Sequence, residues 1–279
     1  MAENGTSLSS FKKHELILKV IVYAVSISLV LLTLYPFFLL LSDFTGFTFA
    51  KPAKVLKVLP KRWNQLVDFF KSSRVVKGLI NSLIVTFGST IMNIYFSAMT
   101  AHSIYAYKWR FRKVFGNIIL ALMMIPNVVA TSGFIHLAYK FNMINHLSLL
   151  IFPAIATPIS VVFMRLYLES SFSMELIYSA RMDGAGEFRI FNQIVLPILK
   201  PAIATQAVFA FASSWNEMLM PAVLILDDEK QTLPIVLILN YATGERTVPM
   251  FITTIIPVIV FLFLSRHIIE GVQLGSVKM

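Results

Sequence analysis

The chain has 279 residues, of which 57% are hydrophobic and only 14% are charged. Soluble domains carry roughly 25% charged residues, so this composition excludes an ordinary soluble domain and predicts an integral membrane protein. The formal net charge is +10, and because the basic residues lie in loops between apolar runs, we expect them to face anionic lipid headgroups and not nucleic acid.

Six apolar runs are long enough to cross a membrane, since a hydrocarbon core needs about 20 apolar residues per helix. The runs are Leu16–Leu41, Gly78–Tyr107, Val114–Ala138, Leu147–Leu168, Ile198–Leu226 and Met250–Ile269. Prolines inside several runs suggest kinks and not breaks, because neighbouring helices can satisfy the carbonyls that a proline leaves free. We predict an all-α integral membrane protein with about six transmembrane helices.

The first run follows a polar start and is too long for a signal peptide, so we expect it to stay in the membrane. We divide the chain into residues 1–77, with the tail, the first span and a basic outer loop, and a core of residues 78–279. Six spans would place both termini on one side. Lysine and arginine are nearly as frequent on one side as on the other, so charge alone gives no orientation.

The basic loop, residues 51–77, has two interpretations. Trp63, Leu66, Phe69 and Phe70 have amphipathic spacing, which is typical of a helix that lies on the membrane surface. Alternatively, the positive charge attracts an acidic binding protein or an anionic glycan by electrostatic steering. The first interpretation requires only lipid as a partner.

A polar segment, Ser173–Pro201, lies between the fourth and fifth runs. Ser173 is a suitable N-cap, with Glu175 in the first turn, where the helix dipole favours an acid. Gly184 can end a first short helix in the left-handed conformation, and Pro197 is expected to end a second one. We predict a helix–turn–helix whose apolar side has too little neighbouring chain to pack on, so a partner protein should cover it.

This segment resembles the EAA loop in the permease subunits of ABC importers. The matching residues are Ser179-Ala180, Gly184, Ile194 and Leu196-Pro197. Arg181–Ala185 and Glu187–Arg189 also resemble the carbohydrate-uptake branch of that family. The resemblance extends from about Asn81 to the C-terminus and includes Ser214–Glu217 and Glu270–Gln273. In one departure, Tyr178 and Ser179 stand where the family has Glu-Ala.

The resemblance implies that the segment is a cytoplasmic coupling loop that docks on an ATPase and moves with spans four and five. The residues expected to form this site are Glu175, Tyr178, Ser179, Ala180, Asp183, Gly184, Ala185, Phe188, Ile194, Leu196 and Pro197. Gly184 would allow the sharp turn. Asp183 would cap the second helix or pair with Arg181 or Arg189.

The same resemblance implies an assembly. A second homologous permease chain would complete the pathway, two ATP-binding subunits would hold ATP and magnesium, and an extracytoplasmic binding protein would deliver the solute. The chain would be a multi-pass protein of the cytoplasmic (inner) membrane of a prokaryote, with both termini in the cytoplasm. It carries no G-x-x-x-x-G-K-S/T loop, no zinc-type histidine spacing and no cysteine, so we expect no enzyme activity, cofactor or metal in this chain.

Polar residues inside apolar runs mark pathways more often than scaffolding, because each is costly to bury unless it has a partner. The candidates for a substrate pathway are Asn93, Asn127, Ser213, Ser214, Trp215, Asn216 and Glu217. Trp215 beside amide and acid groups suits a sugar, which needs an apolar surface to stack on and hydrogen-bond partners for its hydroxyls. Hydrogen bonding between helices is the structural alternative.

The outer segment Asp227–Thr247 carries three acids in a row and then a short apolar run. The resemblance implies that a binding protein docks here, and the residues assigned to that contact are Gln231, Leu233, Pro234, Asn240 and Tyr241. An ordinary interfacial loop is the alternative.

The expected function is that of a permease subunit for a sugar or oligosaccharide. One alternative keeps the importer and changes the solute to a polyol or a glycerol phosphate. Another is an ion-coupled secondary transporter with Glu217 as its ion site, which would need no ATPase.

Overall fold

All regular secondary structure in the computed structural model, which describes residues 4–48, 54–241 and 246–276, is helical. The first seven helices are α1 (Asn4–Thr45), α2 (Lys54–Lys71), α3 (Ser73–Ala106), α4 (Arg112–Leu122), α5 (Asn127–Lys140), α6 (Ser148–Ile151) and α7 (Pro158–Ser171). The next seven are α8 (Met174–Met182), α9 (Glu187–Ile190), α10 (Leu196–Ile198), α11 (Lys200–Trp215), α12 (Leu219–Leu224), α13 (Leu233–Tyr241) and α14 (Thr247–Ser276). A 3₁₀-helix (Phe152–Ala156) follows α6, and a π-helix (Phe191–Val195) joins α9 to α10. The predicted all-α class is confirmed.

Four helical segments are long and apolar enough to cross a membrane by themselves. They are Leu16–Thr45, Ser73–Ala106, Ser148–Ser171 and Thr247–Ser265. Two further pairs of helices pass the same criterion only together, α4 with α5 and Glu187–Ile198 with α11. The described residues therefore provide four spans, or up to six if each bent pair crosses once.

The sequence predicts a kinked helix for the third apolar run, but the structure has two separate helices that meet at 97°. Residues 123–125 donate their backbone N–H groups to carbonyls three residues back, which tightens the last turn of α4. Pro126 then disfavours the helical conformation of the residue before it and starts α5. The Pro126 carbonyl in turn accepts hydrogen bonds from the N–H groups of Val129 and Ala130 in the first turn of α5.

The fifth apolar run is also discontinuous. The helix α11 ends at Trp215, and α12 begins at Leu219. The Glu217 carboxylate accepts hydrogen bonds from the backbone N–H groups of Leu219 at 2.9 Å and Met220 at 3.2 Å. The prediction of one continuous span over Ile198–Leu226 is wrong because a side chain satisfies the first turn of a new helix.

The chain forms two compact units. The first contains Met1–Asp68 and Glu245–Phe251, and the second contains Phe69–Gly244 and Ile252–Met279. The predicted division between residues 77 and 78 falls inside α3. It remains a prediction about segments of the sequence and does not mark the edge of a helix.

In the first unit, the side chains of residues 16–39 on α1 are all exposed, as expected for a helix surrounded by lipid or by another chain. The aromatic rings of Phe44 and Phe251 stack with their centroids 3.9 Å apart. The basic loop contains the amphipathic helix α2, in which Trp63 is exposed. The predicted amphipathic helix is therefore present, and its contact with lipid stays a prediction.

In the second unit, α3 packs against α7, α11 and α13. Its small residues Ala98 and Ala101 are fully buried and share one apolar cluster with Met164 and Leu168 of α7. Small side chains let helices approach closely, which is the usual basis of helix packing in membranes. This places α3 in the interior of the unit.

The glycine at position 78 marks another close approach, between α3 and α13. A Cβ atom at Gly78 would lie 2.9 Å from Cγ2 of Val236 and 3.4 Å from the backbone Cα of Leu233. We expect Gly78→Val to lower the free energy of unfolding by about 1–3 kcal/mol through overpacking. Thermal unfolding in detergent would measure the change.

Gly133→Val on α5 is the matched control, because no heavy atom lies within 4 Å of an added Cβ there. An equal loss of stability in both variants would contradict the inferred packing of α13 on α3.

Candidate functional sites

The turn at the centre of the segment Ser173–Pro201 has the predicted geometry. The Ser173 hydroxyl accepts a hydrogen bond from the backbone N–H of Glu175 at 3.3 Å and caps α8. Gly184 has a φ of 77°, and its N–H donates to the carbonyl of Arg181, while the N–H of Ala185 donates to that of Ala180, each at 3.0 Å. These two bonds form the Schellman motif, which ends a helix at a left-handed residue.

The second arm of this segment is longer than predicted. It runs without interruption from Glu187 to Ile198, and its axis meets that of α11 at 78°. The π-helix before Pro197 changes the hydrogen-bond register, so a residue without an N–H group can follow inside the helix. The prediction that Pro197 ends the second helix is therefore wrong, and the chain bends at Leu199 instead.

The apolar side of the segment packs on the chain itself, against the expectation that a partner must cover it. Ile177, Ile190 and Val195 are completely buried in the cluster that includes α3 and α7. A different side faces outward, where Met182 is 87% and Phe188 75% exposed. Only this outer side is free to meet another protein.

The residues predicted for ATPase coupling divide between these two sides. The exposed ones are Glu175, Tyr178, Ser179, Asp183, Gly184, Phe188 and Pro197. Ala185, Ile194 and Leu196 are half-buried, and Ala180 is buried in the core. The residues that a partner could touch directly are the exposed group.

A charged cluster joins the two arms of the segment. Nε of Arg181 lies 2.7 Å from Oε1 of Glu187, and the hydroxyl of Tyr107 donates to Oε2 of Glu187 at 2.5 Å. The Arg181 guanidinium also lies over the Tyr107 ring, 5.5 Å from its centroid. Burial and the hydrogen bond to Glu187 raise the pKa of Tyr107 to about 12, so its hydroxyl stays a donor at physiological pH.

Asp183 has neither of its predicted roles. Arg181 pairs with Glu187, and Nε of Arg189 donates to Oε1 of Gln193 at 2.8 Å. No side chain caps α9. The sequence could not indicate Tyr107 as a partner, because it precedes Glu187 by 80 residues.

A cavity of about 290 Å³ lies inside the second unit, among α3, α7, α11 and α12. Many of its lining residues carry a hydroxyl or an amide. These are Ser82, Thr86, Ser89, Asn93, Thr157, Ser160, Gln206, Ser213, Ser214 and Thr232. Five of the predicted pathway residues line it: Asn93, Ser213, Ser214, Trp215 and Glu217. Asn127, which starts α5, and Asn216 are not among its lining residues.

Only some of the polar groups that line the cavity form hydrogen bonds within the described part of the chain. The Ser160 hydroxyl donates to Oε1 of Gln206 at 2.9 Å. The Thr232 hydroxyl is buried without a hydrogen-bond partner in the described part of the chain. Glu217 is the one ionisable side chain among the described lining residues. This lining suits a neutral ligand that carries many hydroxyl groups.

Trp215 does not offer the open stacking surface that the sequence suggests. Its side chain is 2% exposed, its ring stacks on Phe211, and its Nε1 donates to the carbonyl of Thr253 at 3.0 Å. The ring therefore holds α11 against α14 and forms part of the cavity wall.

The acidic loop, Asp227–Glu229, is tied to the start of α3. Arg74 lies 2.5 Å from Asp228, and Lys77 lies 2.6 Å from Glu229. Asn81 on α3 donates to the backbone carbonyl of Glu229 at 2.9 Å. Two cations of the predicted basic loop thus have partners within the chain, which leaves less charge for steering a partner.

The residues predicted to contact a binding protein differ in exposure. Gln231 and Leu233 are buried, and Leu233 donates its N–H to the Ser82 hydroxyl at 2.8 Å. Pro234 is half-buried and lines the cavity, and Asn240 is exposed. The side chain of Tyr241 lies outside the described residues.

The comparisons with known proteins agree with this architecture. Residues 93–272 match the family described as binding-protein-dependent transport system inner membrane component. AraQ of Bacillus subtilis, an arabinooligosaccharides transport system permease protein, is 32% identical over 72% of this chain and 73% of its own length. AraQ of Halalkalibacterium halodurans, of the same description, is 31% identical over 71% of this chain and 72% of its own length.

A solved structure also has this fold. It is the crystal structure of a bacterial ABC transporter involved in the import of the acidic polysaccharide alginate. The TM-score is 0.71 at 22% sequence identity, and the match covers 91% of this chain and 96% of the other. With more than half of its residues inside the family match and relatives above 30% identity, the chain belongs to the binding-protein-dependent transport system inner membrane components, the permease subunits of ABC transporters.

Proposed function

We infer that this chain forms half of the membrane pathway of an ATP-driven importer, for a neutral sugar or oligosaccharide delivered by an extracytoplasmic binding protein. The observation that carries this inference is the cavity lined by hydroxyl and amide side chains. Such groups exchange hydrogen bonds with sugar hydroxyls in place of water. The names of the AraQ relatives, which refer to arabinooligosaccharides, support the same class of solute.

The lining favours a neutral solute over a glycerol phosphate. Sites that hold a phosphate usually present arginine, lysine or several backbone N–H groups. The described lining residues include no lysine or arginine, and their one charged group is the carboxylate of Glu217. An anionic solute would meet repulsion here without a compensating cation.

The lining also disfavours an ion-coupled secondary transporter. Oε1 of Glu217 accepts hydrogen bonds from the N–H groups of Leu219 and Met220. These bonds give the carboxylate a structural role, because it satisfies two backbone N–H groups in the first turn of α12. An external source of energy, ATP hydrolysis in a partner subunit, fits this arrangement better.

The coupling loop is the segment Ser173–Pro201, and its outer side is the surface proposed to dock on the ATPase. Exposed apolar anchors on a short helix are typical of a helix that inserts into a groove of a partner. Met182 and Phe188 are such anchors, next to the half-exposed Tyr178. In this assignment the loop and both termini lie in the cytoplasm of a prokaryote, and the chain spans its inner membrane.

The complete transporter would contain four further kinds of contact. A second homologous permease chain would close the pathway, and two ATP-binding subunits would hold ATP and magnesium. The binding protein would dock near the acidic loop and Asn240, which is the exposed member of the residues predicted for that contact. Lipid would surround the apolar helices, and nucleic acid has no part in this function.

The coupling surface can be tested with Phe188→Ala. Removing an anchor at the centre of an interface typically costs about 2 kcal/mol or more, so we expect roughly 30-fold weaker binding of the ATPase subunit. Affinity would be measured in detergent with the ATPase that copurifies with the tagged chain.

Phe141→Ala is the control for this experiment, since Phe141 is 64% exposed and lies outside the coupling loop. If both variants bind the ATPase equally, the docking surface is placed wrongly. If the tagged chain recovers no ATPase, the importer assignment fails.

The cavity can be tested by filling it. Ser213 is exposed and lines the cavity on α11, so Ser213→Leu should obstruct the solute and lower uptake by about tenfold or more. ATP-dependent uptake of labelled arabinooligosaccharide into proteoliposomes with the assembled transporter would measure this. Ser170→Leu, at an exposed position near the end of α7, is the matched control. Equal uptake in the two variants would contradict the assignment of the cavity.

A further inference from the structure

One uninterrupted helix, α3, reaches from the acidic loop past the cavity to the coupling loop. Its described helical residues run from Ser73 to Ala106 without a proline or a break. At 1.5 Å per residue, these 34 residues span about 51 Å. Five of its residues line the cavity: Ser82, Val85, Thr86, Ser89 and Asn93. Because the helix is continuous, a displacement of one end of α3 also displaces the residues that line the cavity.

The end of α3 is fastened to both arms of the coupling loop through Glu187. One oxygen of this carboxylate binds Arg181, in the last turn of the first arm, at 2.7 Å. The other oxygen accepts from Tyr107, directly after α3, at 2.5 Å. The same carboxylate therefore closes the loop on itself and ties it to α3. Two charge-assisted bonds at different atoms also fix its orientation.

Aromatic contacts along the last turns of α3 add to this attachment. The rings of His102 and Tyr95 each lie 5.6 Å from the ring of Phe191, which is on the π-helix of the second arm. The Tyr105 hydroxyl donates to the carbonyl of Phe172, just before the first arm, at 2.8 Å. The coupling loop and the residue that precedes it thus contact α3 at several positions along its last turns.

The helix that continues the loop along the chain has a less direct connection. Between the second arm and α11 the axis turns by 78° at Leu199, after the wide turns of the π-helix. The second arm and α11 therefore do not form one continuous straight helix. The attachment to α3 involves no bend, although α3 is distant in sequence.

We propose that α3 transmits the movement of the coupling loop to the cavity, and that Glu187 is the positioning residue that binds both arms of the loop to the end of that helix. This inference rests on the proposed function, because it needs an ATPase that moves the loop. It adds a route that bypasses the two spans adjoining the loop.

The absence of cysteine from the chain allows a direct test with single thiols. Ser89→Cys reports on the cavity wall formed by α3, and Ser213→Cys reports on the wall formed by α11. In the assembled transporter in nanodiscs, the labelling rate of each thiol by a small methanethiosulfonate reagent is measured without nucleotide and after trapping with ATP and vanadate. Subunits are separated on a gel, so cysteines of the partners do not interfere.

Glu187→Gln keeps the shape of the side chain and removes its charge. We expect the response of Ser89→Cys to trapping to fall about threefold to tenfold, because a hydrogen bond to a charged group is lost, while the response of Ser213→Cys is retained. Tyr107→Phe keeps the ring and removes only the hydroxyl, so it should act in the same direction with less risk to folding.

Glu169→Gln is the matched control. It removes the charge of an ion pair of similar length, 2.8 Å to Arg165, and both members of that pair lie on α7. We expect it to leave the response of Ser89→Cys intact. An equal loss at both thiols in Glu187→Gln, or no loss at Ser89→Cys in either Glu187→Gln or Tyr107→Phe, would overturn the role of α3.

The failure of the proposed function would have a different signature. In the background with Glu187 and Tyr107 unchanged, trapping would alter neither thiol, or no ATPase would be present in the purified assembly. Either result would overturn both inferences together.

Discussion

Backbone groups at a break in a helix need partners, and in a membrane water cannot supply them. The interior of the second unit depends on how this chain meets that requirement. At the start of α12 the partner is the carboxylate of Glu217. Beyond its end, Oδ1 of Asn145 accepts from the N–H groups of Leu226 and Asp227, at 2.6 and 2.9 Å. These side chains hold a six-residue helix beside the cavity, where a continuous span would otherwise run.

The parts of the coupling loop that could be predicted are those with a local signal. A serine at the start of α8 and a glycine after its end indicated the cap and the turn, and both are present. The length of the second arm had no such signal, because a proline normally ends a helix and the π-helix before Pro197 is invisible in the residue pattern. Part of the apolar side that was expected to meet a partner is buried by the chain itself, since spacing alone cannot say which apolar residues the chain buries.

The lining of the cavity was also predictable in part, because polar residues within apolar runs are a local signal in the sequence. Asn93, Ser213, Ser214, Trp215 and Glu217 are polar or amphipathic residues in apolar runs, and all five line it. Hydropathy could not reveal the break after Leu122, because the residues on both sides of it are apolar. The break after Trp215 falls at a short polar stretch, Asn216-Glu217, inside a run that is apolar over most of its length. Contacts between distant segments, such as those of Arg74 with the acidic loop and of Tyr107 with Glu187, are beyond any single-sequence pattern. These are also the contacts that link the acidic loop and the coupling loop to α3.

The acidic loop is attached by bonds of two physical kinds. The pairs from Arg74 and Lys77 are exposed, so dissolved ions screen them and they contribute little to stability. The bonds that the Asn81 side-chain amide donates to the backbone carbonyls of Glu229 and Gln231 join neutral groups, which respond much less to ionic strength. The position of this loop beside the cavity should therefore tolerate high salt. A change from a dilute to a saline medium would weaken the ion pairs of Arg74 and Lys77 and leave the hydrogen bonds of Asn81 in place.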